Sequence, residues 1–142
     1  VDDEPRVAEM LQRVLRRDHE VVAVSNGKAA LDEVRSGTWF DAIVTDVMMP
    51  NMTGIELLEE LVRIAPEQAR RLIFLSGGVF TTETRERLDE LGTLQLEKPT
   101  NSADLRRAVM TIATRSSAIA VEVAALPRST TRSRTASSSS SR

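Results

Sequence analysis

Cysteine is absent from this chain of 142 residues, which excludes a disulfide frame and a cysteine-ligated metal. Absent too are a secretory signal and any apolar run of about eighteen residues, the length a membrane-spanning helix needs. The expected location is therefore the cytoplasm, without direct membrane insertion. Basic residues are scarce in the body of the chain: residues 1–126 hold all 21 acidic side chains but 15 of the 19 basic ones, a net charge of −6. Such a body offers no electrostatic footprint for nucleic acid, and no nucleic-acid partner is expected. An initiator methionine is also missing, and Val1-Asp2-Asp3-Glu4-Pro5 opens the chain with no apolar run ahead of the acids. A strand preceding Asp2 is expected to belong to the fold, with only Val1 of it present.

What is present suffices for one hydrophobic core, since 41% of the residues are apolar and the length fits a single domain with a short addition. Val7, Met10, Leu11, Val14 and Leu15 recur at helical spacing and predict a helix ending near Arg17. Residues 20–25 read as a strand, followed by an Asn26-Gly27 turn and a helix over about 28–35. Ala42-Ile43-Val44 is a short apolar run that ends on Asp46 and is stopped by Pro50 and Gly54. A third helix carries Ile55, Leu58, Leu61, Val62 and Ala65 and is terminated by Pro66. Leu72-Ile73-Phe74-Leu75 is a second buried strand running into Ser76-Gly77-Gly78. A charged helix over about 82–91 has few inward candidates beyond Leu88 and Leu91, and a last strand at 94–97 leads into Lys98-Pro99. The final helix begins near Ser102, with Leu105, Ala108, Val109 and Ile112 on one face. Strands alternating with helices predict an α/β domain, a doubly wound parallel sheet, over residues 1–115. Residues 116–126 are read as an apolar extension of the last helix, and 127–142, rich in Ser, Thr and Arg, as a disordered tail of charge +4.

Parallel strands place their carboxyl ends at one edge, so Asp2, Asp3, Asp46, Ser76 and Lys98 are expected to converge there. Three carboxylates in one crevice repel one another unless a cation joins them. Oxygen-only ligands select a hard ion, and Mg²⁺ suits one or two carboxylates together with water and a phosphate oxygen. Lys98 can neutralise part of the charge and bind a phosphoryl oxygen, and Ser76 can donate its hydroxyl to the same group. The chemistry that fits is attack of a carboxylate on an activated phosphoryl group to give an acyl phosphate.

With these residues in this order and spacing, the chain resembles the receiver domains of bacterial two-component response regulators over about residues 1–115. The resemblance implies a flavodoxin-like sheet of five parallel strands in the order 2-1-3-4-5, with the first, central strand largely missing here. It implies that Asp46 is the phosphoacceptor, assisted by Lys98 and Ser76. Mg²⁺ would be held by Asp3 directly, by Asp2 largely through water, by Asp46 and by the backbone carbonyl of Met48. The Lys98-Pro99 peptide bond is expected to be cis. The implied partner is a histidine kinase or a histidine phosphotransfer protein, with a surface for a dimer through the last helices. No enzymatic activity beyond self-phosphorylation is expected of the domain itself. The receiver of a hybrid histidine kinase is the preferred placement, and a stand-alone single-domain response regulator the alternative.

Two departures stand out. Receivers usually carry Tyr or Phe three positions before the lysine, where the ring reports the phosphorylation state, and Gln95 occupies that position here. The other is the missing first strand. Two further classes fit less well. An aspartyl-phosphate phosphatase of the haloacid-dehalogenase type needs an acid two residues after the nucleophile, where Met48 stands. A flavodoxin-like FMN carrier would bring its phosphate against Asp2, Asp3 and Glu4.

Overall fold

Leu72-Ile73-Phe74-Leu75 is apolar at every position because both of its faces are covered. In the computed structural model, which describes residues 1–78 and 81–124, this segment forms β2 (Leu72–Ser76), buried at all five residues. It lies between β1 (Ile43–Asp46) and β3 (Leu94–Glu97), parallel to both, with Asp46 opposite Leu75 and Ser76 opposite Glu97. Alternate residues of β2 serve two cores. Leu72 and Phe74 pack with Leu31 of α2 (Gly27–Arg35), with Leu57, Leu58 and Leu61 of α3 (Gly54–Ile64), and with Leu88 of α5 (Thr82–Glu90). Ile73 and Leu75 pack with Leu11 and Leu15 of α1 (Pro5–Leu15) and with Leu105, Val109 and Ile112 of α6 (Ser102–Ala124). The α/β class with helices on both faces of a parallel sheet thus follows from the strand period of two.

Several expectations are corrected. Pro66 does not merely end the third helix: α3 stops at Ile64, and Pro66 opens a short helix, α4 (Pro66–Ala69), its fixed φ suiting the first helical position. Leu91 is not an inward residue of the charged helix but is largely exposed, leaving Leu88 alone fully buried there. The disordered reading of 127–142 falls outside the described residues.

Four strands of a five-stranded sheet were expected here, the first being largely missing, and three form among the described residues, because residues 20–25 adopt no strand. The reason lies beside β1. The Val1 amino group donates to Val44 O at 2.6 Å and Asp46 N donates to Val1 O at 3.0 Å, while Asp2 N donates to Val24 O at 3.2 Å. Val1 and Asp2 therefore occupy the lane between residues 20–24 and β1. The rest of that lane is a cavity of about 570 Å³ lined by Leu11, Leu15, Val21, Val24, Ala42 and Val44 among others. With the hydrogen bond from the Asp2 amide to Val24 O as the backbone contact across that lane, residues 20–24 complete no ladder. Joining about five strand-forming apolar residues ahead of Val1 is expected to fill the lane, to protect the amides of Val22 and Val24 from hydrogen exchange and to raise Tm. Unchanged protection in the extended chain would contradict this account.

Candidate functional site

β1 delivers Asp46 to the carboxyl edge of the sheet, and the loop that follows is tied back on both sides. Val47 N donates to Leu75 O at 3.2 Å, and Gly54 N donates to Val47 O at 2.8 Å. Asn51 takes a left-handed conformation, φ 68°, which asparagine tolerates better than most residues. Thr53 and Glu56 then start α3 as a reciprocal capping box, with Glu56 N donating to Thr53 Oγ1 at 3.2 Å and Thr53 N to Glu56 Oε2 at 2.8 Å. The pattern Thr53-x-x-Glu56 was legible in the sequence as a helix start and went unread there. From sequence, Gly54 marks the stop of the strand that carries Asp46 and a member of the receiver-like pattern. A Cβ at Gly54 would lie 2.4 Å from the Asp46 carbonyl oxygen and 3.1 Å from Val47 Cα, so glycine is what lets α3 begin directly against the strand end.

Four of the expected site residues converge. Lys98 Nζ donates to Asp46 Oδ2 at 3.0 Å and to Asp2 Oδ2 at 3.3 Å. Asp2 is almost fully buried and also accepts from Glu4 N at 2.9 Å, whereas Asp3 is exposed. Carboxylate oxygens of Asp2, Asp3 and Asp46 lie within 4.8 Å of one another. One lysine against three acids leaves the crevice negative, a donor set of hard oxygens suited to a divalent cation. Burial acts to lower the Lys98 pKa, but the hydrogen bond and charge of Asp46 and the charge of Asp2 outweigh it and hold Lys98 above the usual lysine value. The buried Val1 amino group is pushed down to about 6 by desolvation, against the opposing pull of Asp2 and Asp46.

Lys98 is placed by its backbone. Lys98 N donates to Ser76 O at 2.7 Å, and the Lys98-Pro99 peptide is cis. Ser76 ends β2 in the strand beside Asp46 and is 6% exposed. Met48 contributes its amide, which donates to Asp46 Oδ1 at 3.2 Å, while the residue as a whole is 72% exposed. Gln95, on β3, donates from Nε2 to Asp89 Oδ1 of α5 at 3.2 Å. No helix among the described residues is long and apolar enough to cross a membrane.

Comparison with known proteins identifies the family. A family model described as response regulator receiver domain matches residues 1–110. A response regulator receiver protein of Anaeromyxobacter sp. (strain Fw109-5) is 46% identical over 74 residues, covering 51% of this chain and 31% of that protein. A two-component response regulator of Oryza sativa subsp. japonica is 32% identical over 108 residues, 75% of this chain and 51% of that protein. The chain thus spans about a third to a half of the length of these relatives. Among solved structures, a response regulator receiver domain protein from Clostridium thermocellum superposes with a TM-score of 0.73 at 26% identity, over 83% of this chain and 94% of that one.

Proposed function

The chain belongs to the response regulator receiver domain family of two-component signalling, and on that footing we propose that Asp46 takes a phosphoryl group from a phosphohistidine of a histidine kinase or histidine phosphotransfer protein. The observation that carries this reading is the Lys98 ammonium held at once by Asp46 and Asp2 beside a third carboxylate, Asp3. An Asp46 carboxylate oxygen forms the new O–P bond as the N–P bond of the donor breaks, and the electron pair leaves with the imidazole. Lys98, freed from one carboxylate, pairs with a phosphoryl oxygen, and Ser76 donates its hydroxyl to another. The donor set fits Mg²⁺, which Asp2, Asp3, Asp46 and the Met48 carbonyl would hold and which supplies charge neutralisation at the phosphoryl oxygens. Met48 and Gly78 offer no side-chain group to orient an attacking water, so a long-lived acyl phosphate belongs to the same reading.

A cytoplasmic receiver within a hybrid histidine kinase is the placement we favour, with a stand-alone regulator as the alternative and no catalytic activity of the domain beyond its own phosphorylation. The upstream reading frame decides between them. A dimer through the last helices is part of this proposal. It is supported by α6, whose 23 residues outrun the four-residue strand β3 on which it packs.

Acetyl phosphate is expected to label the protein only with Mg²⁺ present, and excess chelator should reduce labelling to background. Lys98→Gln should lower the labelling rate by about 100-fold, the loss of roughly one charged contact to the transferred group. Equal labelling in chelator, or an unchanged rate for Lys98→Gln, would overturn the assignment.

A further inference from the structure

Gln95 leaves room where a ring would stand. A cavity of about 390 Å³ opens between the end of β2, α5 and β3, lined by Ser76, Arg85, Asp89, Thr93, Gln95 and Glu97 together with Gly78. Every side chain in that lining is polar among the described residues, and hydrogen-bond acceptors predominate there once the existing bonds are assigned. The Gln95 amide spends a donor on Asp89 Oδ1, which leaves its carbonyl oxygen as an acceptor. Thr93 spends its hydroxyl proton on Leu88 O at 2.9 Å. Ser76, 6% exposed, makes no side-chain hydrogen bond among the described residues. Asp89 and Glu97 add carboxylates. The opposing cations are few: Arg85 lines the cavity, Arg87 is paired with Glu59 at 3.0 Å, and Lys98 is held by Asp46 and Asp2.

We infer that this cavity is a docking site for a cationic side chain, arginine above lysine, presented by a partner protein. The planar guanidinium carries five N–H donors in a fixed fork, which matches a cavity offering a glutamine carbonyl, two carboxylates and two hydroxyl oxygens. A ring at position 95 would fill the space with apolar surface and remove the Gln95 acceptor. The β3–α5 face is therefore built to read a basic residue rather than an apolar anchor. Ser76 lines this cavity and ends β2, the strand beside the one that carries Asp46, so an occupant there borders the proposed phosphoryl chemistry. This last consequence rests on the proposed phosphoacceptor role; the cavity's charge preference does not.

The test uses the unphosphorylated full chain, with no phosphodonor, so that its outcome is independent of the phosphoryl reading. N-acetyl-arginine methylamide is titrated while the side-chain amide of Gln95 and the backbone amides of Asp89 and Thr93 are followed by NMR. Saturable shifts at these groups are expected, with a Kd on the order of 1 mM. The norleucine analogue should give none. Asp89→Asn combined with Glu97→Gln should weaken binding about tenfold, Gln95→Tyr should abolish it, and Arg85→Gln should tighten it. Equal shifts with norleucine, or undiminished affinity in the double variant, would overturn the inference. The arginines of residues 127–142 are a second source of the same chemistry. Replacing Arg128, Arg132, Arg134 and Arg142 with Ser should leave probe affinity unchanged, and a gain in affinity would assign the cavity to the chain's own tail instead of a partner.

Discussion

Asp46→Asn is expected to abolish labelling by acetyl phosphate with Mg²⁺, a loss of at least about 1,000-fold against the native chain. The carboxamide is nearly isosteric, so its oxygen can keep the Met48 amide bond seen at 3.2 Å, but it is neutral and a poor nucleophile. Neither remaining acid can take over. Asp2 is buried beneath Lys98 and holds both the Lys98 ammonium and the Glu4 amide. Asp3 stands exposed and makes no ion pair with a lysine among the described residues. The fold should persist, because Lys98 retains Asp2 and removing one of three clustered carboxylates relieves repulsion. A change in Tm beyond a few degrees would point to misfolding, and the readout is therefore label incorporation together with Tm. Label that survives in a folded Asp46→Asn protein would sink the phosphoacceptor assignment.

Gly54→Ala is expected to cost about 3 kcal/mol, toward the upper end for an overpacked site, and to lower Tm by on the order of 10 °C. The added Cβ would meet the Asp46 carbonyl oxygen at 2.4 Å and Phe74 Cε1 at 3.0 Å. Two of its three nearest neighbours are backbone atoms of the strand end and cannot swing away as a flexible side chain could. Relief must come from moving α3 or the end of β1, and either displaces Asp46 from Lys98. Labelling should fall in the fraction that still folds. Gly77→Ala provides the contrast: its Cβ would meet only Lys98 Cδ, at an ordinary 3.5 Å, and a change of under about 1 kcal/mol is expected. Calorimetry of the two variants separates a packing effect from a general loss of glycine, and equal Tm values for both would contradict it.

The site was more legible than the sheet. Asp46 and Lys98 lie 52 residues apart, yet one ends β1 and the other follows β3, and parallel strands leave no choice about which ends meet. The failure at residues 20–25 has the opposite cause. Val21, Val22 and Val24 have strand character, but a strand exists only through its neighbour's hydrogen bonds, and the lane beside them holds two residues, Val1 and Asp2. Leu91 misled because a mostly charged helix gives too few apolar positions to define its inner face, and only packing against Leu57, Leu58 and Leu61 singles out Leu88.

By itself the sequence determined the α/β alternation, the two-sided burial of β2 and the donor types of the crevice, because periodicity and residue chemistry are local properties. Tertiary structure alone decided that Asp2 is buried and Asp3 exposed, that Lys98 bridges two carboxylates, that Gln95 pairs with Asp89 beside an open polar cavity, and that Gly54 stands where no Cβ fits. Each of these depends on distances between segments far apart in the chain, which the packing of α1, α3, α5 and α6 against the sheet sets and no local pattern encodes.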